Sequence, residues 1–419
     1  MITRSSLDKS QPTTRDIRKA NRLQILHQLL LRKNCSRLEL SQRTGLSSAT
    51  VANLIADLML EGLVIEVGME ASQGGRPIAI LAINKSVGVC VGIDVAETYL
   101  HFDLYNLVLE NLGEYQIDLP SSKKEPREIV RLIEAGFDEL LKTFRCPKTK
   151  VVGVGISIPG PFEHSTGVSV FAPSWGWVNV NLKAMLEEEL DIPLYMDNPL
   201  KFNTVAEAWF GAGLQVDTMV AVVLGTGVGA GIVINGELFH GASNTAGEWG
   251  HSVIMAGGRP CRCGSRGCLE AYIGAPGILQ TLKEIDPESP FLILNDQTRS
   301  ISEIASAAQK GDSVALEVVK KTAFFLSAGL SSLINVINPE LVIIGSWVAK
   351  LLGPVLMAET IQLIQQQSLT QPFNAARFVL SDMSRNPVTL GAATLVLEEF
   401  LVNSDRQPAF AHIEDTIPA

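Results

Sequence analysis

The stretch MVAVVLGTGVGAGIVING (residues 219–236) decides the fold of the C-terminal body, because its pattern is that of a buried strand, a glycine-rich turn and a second strand. An earlier stretch, VGVCVGIDVAETYLHFDLYN (87–106), has the same order with a polar turn. A further apolar strand follows each hairpin, at 151–159 in the first copy and at 341–346 in the second, and a helical segment precedes each. Two such copies predict a duplicated α/β architecture with a cleft between two lobes.

Residues 1–84 have a different pattern, that of three helices and a hairpin. Apolar residues recur at helical spacing over 14–33, and Ser36 with Glu39 forms a capping-box pattern that opens a second helix. A third helical segment follows, and then two short strands, 63–68 and 78–83, flank a polar turn. This order predicts a winged helix-turn-helix domain.

The third helix and the wing of this domain carry side chains that suit DNA. Ser47 or Ser48 caps the helix, whose outer face has the small and hydrogen-bonding residues that a helix needs in the major groove. The wing tip QGGRP (73–77) pairs glycines with an arginine suited to the minor groove. A protein-binding winged domain has the same pattern, but the basic first helix favours DNA. The candidate DNA contacts are Arg15, Arg22, Ser47, Ser48, Thr50, Asn53 and Arg76.

Charge and hydropathy are unevenly distributed along the 419 residues. The net charge is −10, yet residues 1–50 contain ten Lys or Arg and three Asp or Glu, a net of +7 that suits a polyanionic partner. No apolar run reaches the length of a membrane span, and the N-terminus lacks the apolar core of a signal peptide. We therefore expect a cytoplasmic protein without membrane insertion, in which cysteines stay reduced.

Three of the six cysteines fall within eight positions, in CRCGSRGC (261–268). Together with a nearby histidine they supply one nitrogen and three sulfurs, the donor set of a closed tetrahedral site for structural Zn²⁺. Free thiols in a surface loop are the alternative, which so tight a cluster disfavours. The candidate metal ligands are His251, Cys261, Cys263 and Cys268.

Several motifs resemble the ROK family of repressors, open reading frames and sugar kinases. The specific signature is AGEWGH (246–251) followed by CRCGSRGCLEAY (261–272). The head, which ends in GRP, is similar to that of the repressor branch with the N-acetylglucosamine and xylose repressors. Further motifs extend the resemblance over nearly the whole chain, namely GISIPGP (155–161), LGTGVGAGI (224–232), NPELVIIG (338–345) and LGAATLVLEE (390–399).

The resemblance implies an actin-like, RNase H-like sugar-kinase fold (ASKHA, ROK type) behind the winged helix-turn-helix. The implied domains are the head at 1–84, a small lobe at 85–197 completed by a C-terminal helix at about 386–402, a large lobe at 198–385, and a flexible tail at 403–419.

The resemblance also implies a zinc-anchored sugar pocket. Zinc at the four ligands would orient the His251 ring and leave its other nitrogen for the ligand. Alternatively, Glu248 and Glu270 only make hydrogen bonds near the zinc. The implied sugar-binding residues are Gly160, Asn198, Glu248, His251 and Glu270.

The phosphoryl-transfer machinery of the family is altered at three places. Family kinases carry a Glu-Asn-Asp triplet whose Asp is the base, and the matching triplet here ends in Pro199, which cannot accept a proton. Their first phosphate turn, Asp-x-Gly-Gly-Thr, is DVAET (94–98) here, and the adenosine-side turn is GSW (345–347). These differences predict a protein that is not an enzyme. A shift of one residue that made Asp197 the base would break the spacing to the next glutamate.

Three functions fit these features. The first is a sugar-responsive transcription regulator, a repressor of carbohydrate genes, which binds palindromic double-stranded operator DNA as a homodimer or homotetramer and responds to a sugar or sugar phosphate. A sugar-transport component would fit it as a protein partner. The alternative is an active ROK sugar kinase, an ATP:hexose phosphotransferase, with a DNA-binding appendage. The third is a protein-binding scaffold, which would have no salt-dependent affinity for DNA.

Overall fold

The structure is a computed structural model that describes residues 13–70, 77–119, 124–172 and 175–403. Three sequence predictions lie outside the described residues: the wing-tip arginine Arg76, the side chain of Arg15, and the tail from residue 404 onward.

The helices and strands that the sequence pattern predicts occur in the predicted order, with further elements between them. The N-terminal part of the chain contains α1 (Thr14–Arg32), β1 (Cys35–Ser36), α2 (Arg37–Thr44), α3 (Ser48–Leu60), β2 (Val64–Glu70), β3 (Ile78–Ile83), β4 (Val89–Val95), β5 (Tyr99–Asn106), β6 (Asn111–Asp118), α4 (Pro126–Thr143), β7 (Val151–Ser157), β8 (Phe162–Glu163), β9 (Val168–Ala172), β10 (Trp177–Val180), α5 (Leu182–Glu189) and β11 (Leu194–Asp197). The C-terminal part contains α6 (Pro199–Phe210), β12 (Met219–Leu224), β13 (Val228–Ile234), β14 (Glu237–Leu238), α7 (Glu270–Ile273), α8 (Ala275–Ile285), α9 (Gln297–Gln309), α10 (Ser313–Ile337), β15 (Leu341–Gly345), α11 (Trp347–Gln367), α12 (Thr370–Ala375), β16 (Arg377–Leu380) and α13 (Pro387–Asn403).

The head is a three-helix domain with a small sheet of order β1-β3-β2. The capping box at α2 is confirmed, because Glu39 N donates to Ser36 Oγ (3.2 Å) and Ser36 N donates to the Glu39 carboxylate (2.8 Å). The sequence left the cap of α3 open between two serines, and the structure assigns it to Ser47, whose hydroxyl accepts from Thr50 N. Each cap satisfies a backbone N–H that has no partner inside its helix. The domain is therefore a winged helix-turn-helix, as expected.

The two predicted hairpins each belong to a five-stranded sheet, and the two sheets have equivalent orders. One sheet has the order β11-β7-β4-β5-β6, and the other has the order β16-β15-β12-β13-β14 when it is read from its matching edge. In the first sheet, β4 pairs antiparallel with β5 and parallel with β7. In the second sheet, β12 pairs antiparallel with β13 and parallel with β15. The duplicated α/β architecture is confirmed.

The helices cover these sheets with apolar faces. In α4, Ile129, Ile133, Phe137 and Leu140 are buried at helical spacing, and Gly136 lies against Phe102 of β5. The last helix, α13, packs on β7 so closely that a Cβ on Gly155 would lie 2.4 Å from Ala392 O. Around the other sheet, α7 to α11 enclose a core of aliphatic side chains from β12 and β15.

The chain divides into two compact units. The N-terminal unit comprises the described part of Ser6–Ser157 with Leu182–Met196 and the described part of Ala392–Ala419. The C-terminal unit comprises Ile158–Asn181 and Asp197–Gly391. This grouping differs from the predicted boundaries, because Ile158–Asn181 belongs to the C-terminal unit and the head shares the N-terminal unit with the sheet that contains β4.

In the described part of the chain, α11 is the one helix that is long and apolar enough to cross a membrane by length and composition. Val348, Leu352, Leu356 and Ile364 of this helix are buried in the core of the C-terminal unit. Core helices commonly pass the same test of length and composition, so α11 is weak evidence for a membrane span.

Candidate functional site

The face of α3 that the sequence assigns to DNA is open to solvent. Ser47, Ser48 and Asn53 are exposed and Thr50 is half-buried, whereas the opposite face of α3 packs into the head. Because the Ser47 hydroxyl caps the helix and lies 2.9 Å from Thr50 Oγ1, Ser48 and Asn53 are the exposed side chains of this face best placed for base edges. A groove of about 510 Å³ beside them is lined by residues of α1 and α3 that include Asn53 and Thr50.

Arg22, which the sequence assigns to DNA, has a different role in the structure. It is 5% exposed, and its guanidinium binds the Glu61 carboxylate through two hydrogen bonds, one of them 2.6 Å long. Its Nε also donates to the backbone oxygen of Leu401, at 3.3 Å. The assignment to DNA needs correction, because a buried and paired guanidinium offers no charge to a phosphate. Helical spacing placed Arg22 on α1 correctly but could not show which face of α1 is covered.

The four predicted metal ligands converge on one point. One ligand atom from each of His251, Cys261, Cys263 and Cys268 lies within 4.8 Å of the others. The sulfurs of Cys263 and Cys268 are 3.7 Å apart, and Cys261 Sγ is 3.7 Å from His251 Nδ1. Tetrahedral zinc has bonds of about 2.3 Å to sulfur and about 2.0 Å to nitrogen. Two sulfur ligands are then about 3.8 Å apart, and a sulfur and a nitrogen ligand are about 3.5 Å apart. The donor set and its geometry therefore fit a metal ion of this kind.

His251 connects the metal ligands with the predicted sugar pocket. Its Nδ1 faces the Cys261 sulfur, and its Nε2 lies 3.9 Å from the Glu248 carboxylate. Burial raises the pKa of Glu248, and the nearby Glu270 raises it further, against the charge of His251 and Lys201. The predicted division of the ring, one nitrogen for the metal and the other for a ligand, is compatible with this placement.

Glu270 is committed to partners inside the protein. It is 6% exposed, and its carboxylate accepts hydrogen bonds from Val228 N (2.9 Å) and from Arg262 Nε (2.9 Å). Its Oε1 also lies 3.9 Å from Cys261 Sγ. The structure thus brings Glu270 close to the metal ligands, which fits the alternative that it makes hydrogen bonds near the metal rather than to a sugar. Arg262 was missed by the sequence analysis, since neither its spacing nor its neighbours indicate a partner.

Asn198 has one polar group that lacks a partner in the described part of the chain. The residue is 2% exposed and caps α6 through Oδ1, which accepts from Lys201 N at 3.1 Å, while Nδ2 is buried and has no hydrogen-bond partner among the described residues. A buried donor without a partner is costly and fits a ligand hydroxyl. Ile158 N donates to Asp197 O (2.9 Å), which holds the loop with Gly160 beside this corner.

Gly160 is at a position that no larger residue can take. Its φ is +82°, and a Cβ there would lie 2.0 Å from Phe171 O. The glycine therefore allows a close approach of two backbone segments in the predicted pocket.

The sequence did not indicate whether Lys201 faces solvent or a phosphorylated ligand, and in the structure its ammonium is bonded inside the protein. It is 2% exposed, and its ammonium donates to Asp197 Oδ1 (3.1 Å) and to both oxygens of Asn244. Burial acts to raise the pKa of Asp197, but the hydrogen bond from His164 and the charge of Lys201 hold that pKa below its ordinary value. Asp197 is therefore a stabilised carboxylate and a poor proton acceptor, which disfavours the shifted alignment that would make it a base.

The glycine-rich turn between β12 and β13, which by the family resemblance is the second phosphate turn, is crowded by side chains of this chain. A Cβ on Gly225 would lie 3.1 Å from Ser346 Oγ and 3.2 Å from Trp347 Nε1. A Cβ on Gly227 would lie 2.6 Å from Arg262 Nη2. Pro199 occupies the first position of α6, where its missing N–H costs nothing. The structure thus places Trp347 against the turn, as its bulk in the GSW segment suggests.

Comparison with known proteins agrees with this architecture. A model of the ROK family matches residues 90–399, and a model of winged helix-turn-helix DNA-binding domains matches residues 18–65. The xylose repressor of Caldicellulosiruptor bescii is 32% identical over 392 residues, 92% of this chain and 97% of that protein. The glucokinase of Halalkalibacterium halodurans is 32% identical over 316 residues, 74% of this chain and 95% of the enzyme.

One solved structure is similar over almost the whole chain. It is a ROK family transcriptional regulator, a homolog of the Escherichia coli Mlc protein, with a TM-score of 0.78 and 26% identity. The match covers 93% of this chain and 97% of that chain. The similarity to regulators therefore extends over more of the sequence than the similarity to the glucokinase does. The fold predicted from the sequence, a winged head on a two-lobed body of the sugar-kinase type, is confirmed.

Proposed function

The chain belongs to the ROK family, and on that premise we propose that it represses genes of carbohydrate uptake or metabolism and leaves its operator when a sugar binds. It is a sugar-responsive transcription regulator, and the observation that carries this function is the winged head with an open α3 face on a ROK body. Full-length similarity to repressors supports the same function. We place the protein in the cytoplasm, where its DNA target lies.

The sugar pocket that we propose lies around His251. Its candidates are the Nε2 of His251, the Glu248 carboxylate and the unsatisfied Nδ2 of Asn198, with the Gly160 loop beside them. Glu270 would act mainly by holding Arg262 and the turn at Val228, unless ligand binding frees it. Because relatives are named xylose repressors, xylose is the first sugar to test, with its phosphate and glucose beside it.

We propose that Zn²⁺ fills the site of His251, Cys261, Cys263 and Cys268 and has a structural role. Four protein ligands leave no open position on a tetrahedral ion, so the metal would hold the loop and the His251 ring in place. We propose further that two chains associate, since a winged head that reads a palindrome needs a two-fold partner. A protein partner such as a sugar-transport component is compatible with this function.

We propose that the protein transfers no phosphoryl group. Three features support this: Pro199 in place of a base, Trp347 against the glycine-rich turn at Gly225, and an Asp197 carboxylate held by Lys201. The competing function is an active kinase, which the 32% identity to a glucokinase favours. An ATP-consumption assay with several sugars, and with that glucokinase as the positive control, separates the two. Turnover at an ordinary enzymatic rate would overturn the proposal.

The experiment that tests the regulator is capture of random genomic DNA fragments by the purified protein, followed by sequencing of the retained fragments. A few enriched fragments that share an inverted repeat are the expected result, and their release by a sugar would identify the effector. Uniform retention, or none at moderate salt, would contradict sequence-specific binding and favour the scaffold.

A further inference from the structure

A second group of metal-binding side chains lies in the C-terminal unit and shares no residue with the cysteine site. One ligand atom from each of His164, Asp197 and His240 lies within 4.8 Å of the other two. His164 Nε2 is 2.8 Å from Asp197 Oδ2, and the two imidazole rings are 6.1 Å apart in an edge-on arrangement. We propose that this group, the His164 site, binds a divalent transition metal ion such as Zn²⁺.

The chemistry of the donors suits such an ion. Two imidazole nitrogens and one carboxylate oxygen are ligands that Zn²⁺, Co²⁺ and Ni²⁺ share, and alkaline-earth ions prefer oxygen alone. Three protein ligands leave at least one position open, so the ion would carry water or a ligand hydroxyl there. The site adjoins Asn198, which follows Asp197 directly in the chain.

Asn244 prepares His240 for this role. Its Nδ2 donates to Phe162 O (3.0 Å) and Asp197 Oδ1 (3.2 Å), which identifies its Oδ1 as an acceptor. His240 Nδ1 lies 2.9 Å from that oxygen and therefore carries the hydrogen. The remaining nitrogen, Nε2, keeps its lone pair. Histidines that bind metals are usually fixed by such a hydrogen bond from the other ring nitrogen.

Lys201 limits the affinity of the site without closing it. Its ammonium lies 3.1 Å from Asp197 Oδ1, whereas Oδ2 accepts a hydrogen bond from His164, which an ion bound to both side chains would replace. A fixed positive charge nearby opposes a dication. We therefore expect weaker binding here than at the cysteine site, whose three thiolates are anionic. The His164 side chain is 46% exposed, so an ion can enter from solvent.

The test is metal binding by the full-length protein, purified without a polyhistidine tag. Equilibrium dialysis over a range of free Zn²⁺ concentrations measures bound metal per chain for the wild type, His164→Ala and His240→Gln. The wild type is expected to bind one zinc equivalent in a weaker step beyond any tight binding. Each variant is expected to lose that step or to weaken it at least about tenfold. His164→Ala changes an exposed side chain, so it tests the site even if His240→Gln folds poorly.

The matched control is His101→Ala, which removes an imidazole from a different group with Asp103 and Glu114. It should keep the weaker step. Loading with Co²⁺ distinguishes the sites, since the weaker step should lack the thiolate charge-transfer absorption of the cysteine site. A wild type without the weaker step, variants that keep it, or an equal loss in the control would overturn the proposal. None of these outcomes depends on DNA or sugar binding.

Discussion

Arg22 of α1 and Glu61, which follows α3, form a two-point ion pair that joins the first helix of the head to the end of its reading helix. The same guanidinium donates to Leu401 O near the end of α13. One buried side chain thus fixes α3 relative to α1 and to the last helix of the body. In the head, Arg22 therefore holds α3 in position through contacts inside the protein.

The first prediction follows from this pair. Arg22→Ala should lower the free energy of unfolding by about 1–3 kcal/mol, because it leaves the half-buried Glu61 carboxylate without its cation. The slope of DNA affinity against salt should stay unchanged, since no phosphate contact is lost. Urea unfolding and fluorescence anisotropy at several salt concentrations measure the two effects.

Arg18→Ala is the matched control for that substitution. Arg18 also pairs with a residue of α3, Asp57, but its side chain is 66% exposed, and we expect a loss below about 1 kcal/mol. An Arg22→Ala protein with wild-type stability and a shallower salt slope would show instead that Arg22 contacts DNA.

The second prediction concerns the exposed face of α3. Asn53→Ala should reduce the preference for operator over unrelated DNA by about 1–3 kcal/mol, because an amide can bond a base edge in two places. Stability should change little, since Asn53 is exposed. Competition binding with operator and scrambled DNA measures the preference. Gln42→Ala, an exposed change on α2, should leave it intact, and an equal loss in both variants would argue against α3 as the reader.

The third prediction concerns the cysteine site. Cys263→Ser should remove the tightly bound metal and lower the melting temperature by about 10 °C, because the loop at 251–268 loses the ion that holds it. Prolonged treatment of the wild type with a strong chelator should have the same effect. Metal analysis and calorimetry check both results. Cys146→Ser, at an isolated cysteine, should keep metal and melting temperature, and a Cys263→Ser protein with full metal content would refute the assignment.

The fourth prediction comes from backbone strain at Ser346. Its φ of +77° and ψ of +176° lie in a region that is nearly restricted to glycine. Ser346→Gly should therefore raise the free energy of unfolding by about 1 kcal/mol. The substitution relieves the backbone strain, and this gain exceeds the extra conformational entropy that glycine gives the unfolded chain. Ser332→Gly, an exposed change within α10, should lower it by about 0.5 kcal/mol. Urea unfolding compares them, and a destabilised Ser346→Gly protein would mean that the hydroxyl has a partner worth more than the strain.

Local features of the chain were predictable from the sequence. Ser36 and Glu39 were identified as a capping box, and Cys261, Cys263 and Cys268 as a ligand set, because in both cases the interacting residues are near neighbours. The two hairpins were recognised for the same reason, since alternation and turn residues lie within about twenty positions. The solvent-exposed face of α3 was predictable because helical periodicity determines which residues share a face.

The tertiary structure decided which of these side chains are free. Arg22 is on the predicted helix but is covered, and Glu270 is in the predicted motif but is held by Arg262 and Val228. His164, Asp197 and His240 come from three separate segments that only the folded chain brings together. The sequence by itself determined the main elements, their order and the cluster of cysteines, because these follow from local spacing. Burial and pairing between distant residues depend on how those elements pack, which no local spacing encodes.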